Sequence, residues 1–245
     1  MPAAQRLSWL MLATLFVGSG CAPSRAVEGV WRPGPGDDPN FIPGPMSNFG
    51  PFESYSDALK AACPFILSRP NATVGHLKDS NPGLAVRTAT EYCAWLYYTP
   101  DHTYEMSLLT DASSADDLVS GRKSCVLPTF VSDSRYVRDE LQYVFALHNH
   151  PFGSELSPQD LRFIEDAASV HAWEIQTKRT KVRLATIAFF SRSKDSQAPT
   201  CDGFHQYIPA TRELMTWTQT RGQWDKTSHG IVRWLDDKRY RIDAR

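Results

Sequence analysis

The pattern that most constrains the fold of this 245-residue chain lies between residues 141 and 172. Leu141–Leu147 is an apolar run that is typical of a buried strand, and it ends directly on His148. A short loop later, Ser157 and Pro158 begin a predicted helix with Asp160 in its first turn. Serine at the cap, proline at the first helical position and an early carboxylate all favour a helix start. A buried strand followed by a capped helix predicts helices packed on a sheet.

Other periodic segments extend this prediction to an α+β fold, a mixed and largely antiparallel sheet flanked by helices. The predicted elements are a helix over 54–67 and strands over 84–98, 104–109, 123–131 and 182–190. The strands over 84–98 and 104–109 are expected to form a hairpin, because Asp101 and His102 between them are turn residues. From Asp195 onwards the pattern fits a helix followed by a short hairpin, or an extension that faces a partner.

The chain begins with the pattern of an export signal. Arg6 precedes the apolar stretch Leu7–Val17, which is too short to span a bilayer as a helix, and small residues follow at 18–20. Cys21 comes next, and this arrangement resembles the lipobox of bacterial lipoproteins, although Gly18 stands where that pattern usually has leucine. The resemblance implies a signal peptide over 1–20 and a lipid on Cys21. Cleavage by an ordinary signal peptidase, with Cys21 a spare thiol, is the alternative.

Composition divides the remaining chain into three parts. Residues 21–53 are rich in proline and glycine and poor in periodic apolar residues, so they are predicted to form a tether behind the lipid. Residues 54–192 carry the periodic elements and form the predicted domain. Residues 193–245, with Trp217, Trp224 and Trp234, are a C-terminal extension of unknown role.

Charge and cysteine content narrow the class of protein. Lysine and arginine number 26 against 27 acidic residues, so no basic surface for nucleic acid is expected. In an exported protein, Cys63, Cys93, Cys125 and Cys201 are an even set that can form one or two disulfides. Three pairings of the four are possible, and four buried free thiols are the alternative.

The segment His148-Asn149-His150-Pro151 has the chemistry of a zinc site. Two histidines at i and i+2 at a strand end point to the same side, and imidazole is the commonest neutral zinc ligand. Asp160 at the start of the next helix supplies a carboxylate, which leaves a fourth tetrahedral position open. Alternatively, the histidine pair is a chance occurrence and Ser157 and Asp160 only cap the helix.

This combination resembles the JAMM (JAB/MPN-type) zinc metallopeptidases. Their pattern is a glutamate on an early strand, H-x-H-P, about seven residues, and then S-x-x-D. The resemblance covers roughly residues 54–190 and is closest to the exported and toxin-associated bacterial branch, whose glutamate-tyrosine pair matches Glu91 and Tyr92. It implies a JAB/MPN-like domain of cytidine-deaminase-like architecture over 54–192, and hydrolysis of peptide or isopeptide bonds.

The same resemblance implies a role for each matching residue. His148, His150 and Asp160 would bind Zn²⁺. Glu91 would act as the general base that takes a proton from water and passes it to the leaving amine. Ser157 would donate a hydrogen bond to the oxyanion.

Two features leave alternatives open. Glu105 and Glu140 also precede the histidines, and strand pairing decides which glutamate faces them; Glu91 is favoured because a hairpin and a strand fit between it and His148. Six residues separate His150 from Ser157, one fewer than in the family pattern. A turn at Gly153 could absorb this difference, or it could shift Asp160 away from the metal.

The function expected from the sequence is therefore a zinc-dependent hydrolase of a peptide or protein substrate. It would be anchored to a membrane through the lipid on Cys21, at the periplasmic face or the surface of a bacterial cell envelope. The alternative is a catalytically inactive surface lipoprotein that uses the scaffold to bind a protein. A secreted effector is a third possibility, but lipidation argues against release.

Overall fold

The computed structural model of this chain describes residues 26–113, 123–221 and 223–244. The predicted signal peptide and the predicted lipidation site at Cys21 lie outside these residues. The helices are α1 (Tyr55–Leu67), α2 (Leu77–Ser80), α3 (Pro82–Thr88) and α4 (Pro158–His171). None of the helices in this part of the chain is long and apolar enough to cross a membrane.

Twelve strands lie in the described part of the chain. They are β1 (Phe41–Gly44), β2 (Cys93–Tyr98), β3 (Tyr104–Met106), β4 (Phe130–Asp133), β5 (Gln142–Asn149), β6 (Glu174–Gln176), β7 (Lys181–Arg183), β8 (Ala185–Phe190), β9 (Gly203–Ile208), β10 (Glu213–Thr220), β11 (Gln223–Trp234) and β12 (Tyr240–Asp243). Eight of them form the main sheet, in the order β12-β11-β10-β9-β8-β5-β2-β3. Strand β1 pairs with β4, and β6 pairs with β7.

The main sheet is mixed and mostly antiparallel, which confirms the α+β class. Its parallel pair is β5 with β8, whereas the other neighbours run antiparallel. Two neighbouring parallel strands need a crossover, and the segment that contains α4 provides it. The crossover therefore places α4 against the sheet directly after the end of β5.

Helix α1 covers one face of the sheet. Ser54 caps it by accepting hydrogen bonds from the backbone N–H groups of Ser56 and Asp57, as the sequence predicted for a helix over 54–67. Ile66 and Leu67 are buried within a core that includes Leu96 and Phe189. This surface is called the α1 face below.

Helix α4 covers the opposite face, called the α4 face below. Leu161 and Ile164 of α4 pack in a second core that contains Trp95 of β2 and Ala188 of β8. Strands with helices on both faces are buried on both sides, and the six residues of β2 are all buried. The aromatic side chains of β2 therefore serve packing.

The predicted tether is wrong for much of residues 26–53. Phe41–Gly44 forms β1 beside β4, and Ile42, Met46 and Phe49 are buried in the domain cores. The segment contains few apolar residues, but each of these three is placed where it contacts the sheet or α1. The compact part of the chain therefore begins before Ser54.

The C-terminal residues also differ from their prediction as a separate extension. No helix forms there in the described residues; β9–β12 instead continue the main sheet beyond β8. Glu165 of α4 accepts hydrogen bonds from Tyr207 (2.6 Å) and Trp234 (2.9 Å), and Arg162 lies over the Trp234 ring at 3.5 Å. The last four strands therefore hold α4 in place and belong to the same unit.

The bounds of the predicted strands differ from those in the structure, as β3 already shows by ending at Met106. Residues 82–88 form α3, so the strand expected over 84–98 is reduced to Cys93–Tyr98. Asn81 caps α3 by accepting the backbone N–H of Leu84, and proline occupies an early helical position, two start signals that were missed. In the segments over 123–131 and 182–190, the strands are Phe130–Asp133 in the first, and Lys181–Arg183 and Ala185–Phe190 in the second.

Two disulfides form among the four cysteines. Cys63 of α1 pairs with Cys201, with 5.8 Å between their Cα atoms, and Cys93 pairs with Cys125 at 5.9 Å. The first joins α1 to the segment before β9. The second holds the segment before β4 against the start of β2, where Cys93 lies opposite His148 in the sheet.

Candidate metal centre

Strand β5 and helix α4 bring His148, His150 and Asp160 together. The Nε2 atoms of the two histidines are 3.1 Å apart. Asp160 Oδ1 lies 3.6 Å from Nε2 of His148, and Asp160 Oδ2 lies 3.5 Å from Nε2 of His150. Three side chains that commonly bind metals therefore converge, with one ligand atom from each within 4.8 Å of the others.

The sheet holds His148 rigidly. His148 pairs with Cys93 on β2 and with Ala188 on β8, so its backbone is hydrogen-bonded between two strands. His150 follows two residues later, and its N–H donates to Phe189 O at 2.9 Å. Because side chains alternate across a strand, both imidazoles lie on the α4 face. This arrangement agrees with the one expected from the sequence.

Asn149, between the two histidines, has a different task. Its Oδ1 accepts the backbone N–H of Tyr92 at 2.8 Å, and its Nδ2 donates to the carbonyls of Ala72 (2.7 Å) and Thr90 (3.0 Å). The amide therefore fixes the backbone on both sides of Glu91. Sequence reasoning did not assign this role to Asn149.

The loop after His150 directs Asp160 back towards the histidines. Gly153 has φ +68° and its N–H donates to His150 O at 2.9 Å, so the chain turns at once. Glycine adopts this left-handed conformation without the penalty that a Cβ would bring. The loop is one residue shorter than in the family pattern, yet Asp160 still reaches both histidines.

Ser157 and Asp160 also form a reciprocal helix cap. Asp160 Oδ2 accepts from Ser157 N (2.7 Å) and Ser157 Oγ (2.8 Å), and Ser157 Oγ accepts from Asp160 N at 3.2 Å. The capping role suggested by the sequence is thus confirmed. Oδ1 takes no part in the cap and lies 3.6 Å from His148 Nε2, whereas Oδ2 both caps the helix and lies 3.5 Å from His150 Nε2.

The tautomer of His150 suits metal binding. Its Nδ1 lies 2.7 Å from the carbonyl oxygen of Ser154, and a carbonyl can only accept. Nδ1 must therefore carry the proton, which leaves a lone pair on Nε2 when the ring is neutral. A backbone carbonyl that accepts from the other ring nitrogen commonly orients a metal-binding histidine in this way.

Burial controls the charge of these side chains. It lowers the pKa of His148 to about 4, so that this ring is neutral at neutral pH. Burial also acts to lower the pKa of His150, but contact with Asp160 outweighs it and the net direction is upwards. For Asp160, burial acts to raise the pKa, but the two histidines and Ser157 together lower it by more. The net direction is therefore downwards, and the carboxyl group is ionised.

Glu91 is the glutamate that faces this group. It lines the same cleft as His148, His150 and Asp160, and its negative charge acts to raise the pKa of His150. Glu91 lies two residues before Cys93, which pairs with His148, so strand register brings it beside the histidines.

The two alternative glutamates lie elsewhere. Glu105 pairs with Tyr97 in the β2–β3 ladder and accepts a hydrogen bond from Arg135 at 2.6 Å. Glu140 lies in a 3₁₀ turn before β5, at the end of that strand away from His148, and accepts from Val137 N at 3.2 Å.

The cleft above the candidate metal centre has a volume of about 430 Å³. Its further walls come from α4 and from the segment that the second disulfide holds. These lining residues are Lys123, Ser124, Cys125, Gln159, Arg162 and Phe163. The cleft is therefore large enough for part of an extended substrate.

The sequence did not predict that a further histidine, His205, lies near the candidate metal centre. His205 of β9 pairs with Ala188, which itself pairs with His148, so all three lie in one row across the sheet. Nδ1 of His205 lies 2.9 Å from Thr216 Oγ1, which is 2.6 Å from His229 Nε2. His205 and His229 are far apart in the sequence, and only the order of strands in the sheet reveals that Thr216 links them.

Comparison of the chain with protein-family models, with curated proteins and with solved structures finds no match. The grounds for a functional proposal are therefore the sequence motif and the geometry of the site.

Proposed function

We propose that this protein is a zinc-dependent hydrolase of peptide or isopeptide bonds. The observation that carries the proposal is the convergence of His148, His150 and Asp160 in one cleft with Glu91. A sequence motif alone does not ensure such convergence, because the four side chains come from β5, α4 and the segment before β2.

The spacing of the three ligands fits zinc. Two atoms that each lie 2.0–2.1 Å from a tetrahedral zinc ion are about 3.3 Å apart. The two Nε2 atoms lie 3.1 Å apart, and each has one Asp160 oxygen at a similar distance, Oδ1 at 3.6 Å from His148 and Oδ2 at 3.5 Å from His150. Two neutral imidazoles and one carboxylate are also a common donor set of catalytic zinc sites, which keep a fourth position open.

Each residue then has a defined task. A zinc ion at this site would polarise a substrate carbonyl and lower the pKa of water. Glu91 would accept a proton from the attacking water and deliver it to the leaving amine. Ser157 is within reach of Asp160 and would donate to the oxygen of the tetrahedral intermediate, after its hydroxyl turns from the carboxylate.

The finer features of the resemblance belong to this proposal. We propose a JAB/MPN-like, cytidine-deaminase-like architecture for the domain, and a lipid on Cys21 that anchors it in a bacterial cell envelope. Amide cross-links of the cell wall are then a substrate class that such an anchored enzyme would meet. The mixed sheet, with α4 covering the end of β5, is compatible with that architecture.

The proposal is tested by zinc content and by cleavage. The purified chain without residues 1–25 should bind one equivalent of zinc and release peptides from cell-wall fragments, with cleavage lost on chelation and restored by zinc. Glu91→Gln should keep zinc and lose at least a hundredfold in rate, on the order of the effect of a general base. Glu155→Gln, an exposed carboxylate of the same cleft, is the matched control.

A second function is favoured by one observation. The reciprocal cap between Ser157 and Asp160 gives both residues a structural task, so a protein-binding scaffold could keep the motif without chemistry. One equivalent of zinc, together with no cleavage of cell-wall fragments or of a general peptide panel, would favour this non-enzymatic surface lipoprotein. A Glu91-dependent rate would exclude it.

A further inference from the structure

A larger cleft lies on the α1 face, away from the candidate metal centre. It has a volume of about 630 Å³ and is bounded by the start of α1, the β6–β7 hairpin and strands β9–β11. Clefts of roughly 300–1,000 Å³ with apolar walls and a few placed polar groups are typical binding sites for small molecules. This surface is called the aromatic cleft below.

The floor of the aromatic cleft is apolar and well packed. Phe145, Phe204 and Met215 are all buried and belong to or border the core beneath α1. Trp217 and Trp224 form a half-exposed wall beside them, with their ring centroids 6.0 and 5.2 Å from that of Phe204. A wall of aromatic rings favours a ligand with a flat apolar body, because such a body can stack on or pack edge-to-face against the rings.

One polar group in the cleft has a determined orientation. The indole N–H of Trp217 can only donate, and it donates to Gln206 Oε1 at 2.8 Å. The amide nitrogen of Gln206 must therefore point the other way. Gln206 lines the cleft, and its amide N–H groups are the part of this side chain that could donate to a ligand.

Lys226 offers a second donor. It lies opposite Trp217 in the β10–β11 ladder and lines the cleft. Within the described residues it forms no ion pair and no hydrogen bond through its side chain. The neighbouring cations Lys181 and Arg183 share Glu174, at 3.0 and 3.9 Å respectively.

The balance of charge at the rim agrees with these donors. The charged lining residues are three cations and two carboxylates, namely Lys181, Arg183 and Lys226 against Glu174 and Glu213. A ligand that carries an anionic group is thus favoured over a cation. Both the Gln206 amide N–H and the Lys226 ammonium would bind a carboxylate by donating to its oxygens.

We propose that the aromatic cleft binds a small carboxylate with a planar apolar body. The body lies against Trp217 and Trp224, and the carboxylate reaches Gln206 and Lys226. This inference is independent of the proposed hydrolase, because the cleft shares no lining residue with the candidate metal centre.

Indole-3-propionate and its neutral amide test the proposal, because the two probes differ mainly in charge. We expect saturable binding of the carboxylate by ligand-observed NMR, and at least fivefold weaker binding of indole-3-propionamide. Equal affinity of the two probes, or no saturation up to millimolar concentration, would overturn the proposal.

Variants locate the binding. Lys226→Gln removes the charge and Trp224→Leu removes part of the aromatic wall; each should weaken binding of indole-3-propionate by about tenfold. Lys238→Gln, an exposed lysine outside the cleft, is the matched control and should change affinity less than twofold. An unchanged unfolding midpoint would show that each variant is folded.

Two further results would overturn the proposal. Binding that survives both Lys226→Gln and Trp224→Leu would place the probe elsewhere. A stable dimer that the probe does not dissociate and that Trp224→Leu abolishes would show that a second copy of the chain covers the cleft.

Discussion

The two clefts lie on opposite faces of one sheet and are built in different ways. The candidate metal centre takes its three ligands from one continuous stretch, His148 to Asp160, that runs from a strand end to a helix start. The aromatic cleft is assembled from α1, the β6–β7 hairpin and four strands of the main sheet, which are far apart in the chain. The first is therefore visible as a motif, whereas the second has no local signature.

The two clefts also keep their polar groups at different depths. His148 and His150 are buried, and their backbone lies within or next to the centre of the sheet. In the aromatic cleft the buried residues are apolar, while Lys181, Arg183 and Lys226 are exposed at the rim. Buried polar ligands need fixed partners, which the structure supplies through the Ser154 carbonyl and the cap at Ser157. A solvated rim needs none.

The largest expected effect is the loss of stability when a disulfide is removed, and it should differ between the disulfides of the two faces. Cys63→Ala/Cys201→Ala removes a link between residues 138 apart, and Cys93→Ala/Cys125→Ala removes one between residues 32 apart. In the chain-entropy view, the free energy of unfolding falls by about 5 kcal/mol for the first pair and about 4 kcal/mol for the second. Guanidinium unfolding measures both.

The same two variants also test the comparison of the clefts. Zinc affinity should fall only in Cys93→Ala/Cys125→Ala, because that disulfide ties the segment of Cys125, which forms part of the cleft wall, to Cys93 beside His148. A loss of zinc affinity on removal of the Cys63–Cys201 bond, under conditions where the domain remains folded, would contradict the separation of the two faces.

The next effect concerns Asp160, the candidate metal ligand on α4. Asp160→Asn keeps an oxygen that can accept from Ser157 N but removes the charge. Zinc affinity should fall by more than about a hundredfold, because loss of a direct ligand exceeds the effect of losing an outer-shell partner. Isothermal titration measures it, and Asp166→Asn on the same helix is the control. Unchanged affinity in Asp160→Asn would exclude this carboxylate as a ligand.

A smaller effect tests whether the C-terminal strands support α4. Glu165→Ala leaves the donors of Tyr207 and Trp234 without their acceptor and should lower the free energy of unfolding by about 1–3 kcal/mol. Glu165→Gln retains a carbonyl oxygen at that position, so it should lose less. Equal losses in the two variants would show that charge, and not acceptance of these hydrogen bonds, is what matters.

The smallest effect is a dependence on pH that belongs to the α4 face. Burial lowers the pKa values of His171 and His205 to about 4 in the folded chain, against about 6.5 in the unfolded chain. The unfolded state therefore binds more protons below pH 6.5, and the free energy of unfolding falls as the pH decreases from about 6.5 towards 4. His171→Gln should remove the share of this decrease that is due to His171, which is less than about 1 kcal/mol in the free energy of unfolding at pH 6. Parallel slopes in urea unfolding for variant and parent would contradict the assignment to His171.

Local signals predicted the elements around the candidate metal centre well. Apolar runs, caps and turn residues indicated α1, β5, α4 and the β2–β3 hairpin, and the structure confirms them. The same signals were weak where packing decides. Residues 26–53 looked like a tether because their few apolar residues follow no period, yet Ile42, Met46 and Phe49 each meet the domain core. Asp195 onwards looked helical in part, but its strands are stabilised by pairing with β8.

The sequence by itself predicted the three candidate ligands, since a strand end, a glycine turn and a capped helix are all encoded between His148 and Asp160, but it left open whether the shortened loop lets Asp160 reach the histidines. Only the tertiary structure decided that Glu91, and neither Glu105 nor Glu140, lines their cleft. It also decided the disulfide pairing and formed the aromatic cleft. The reason is that strand register and sheet order depend on contacts between residues distant in the chain, and a short window of sequence does not contain those contacts.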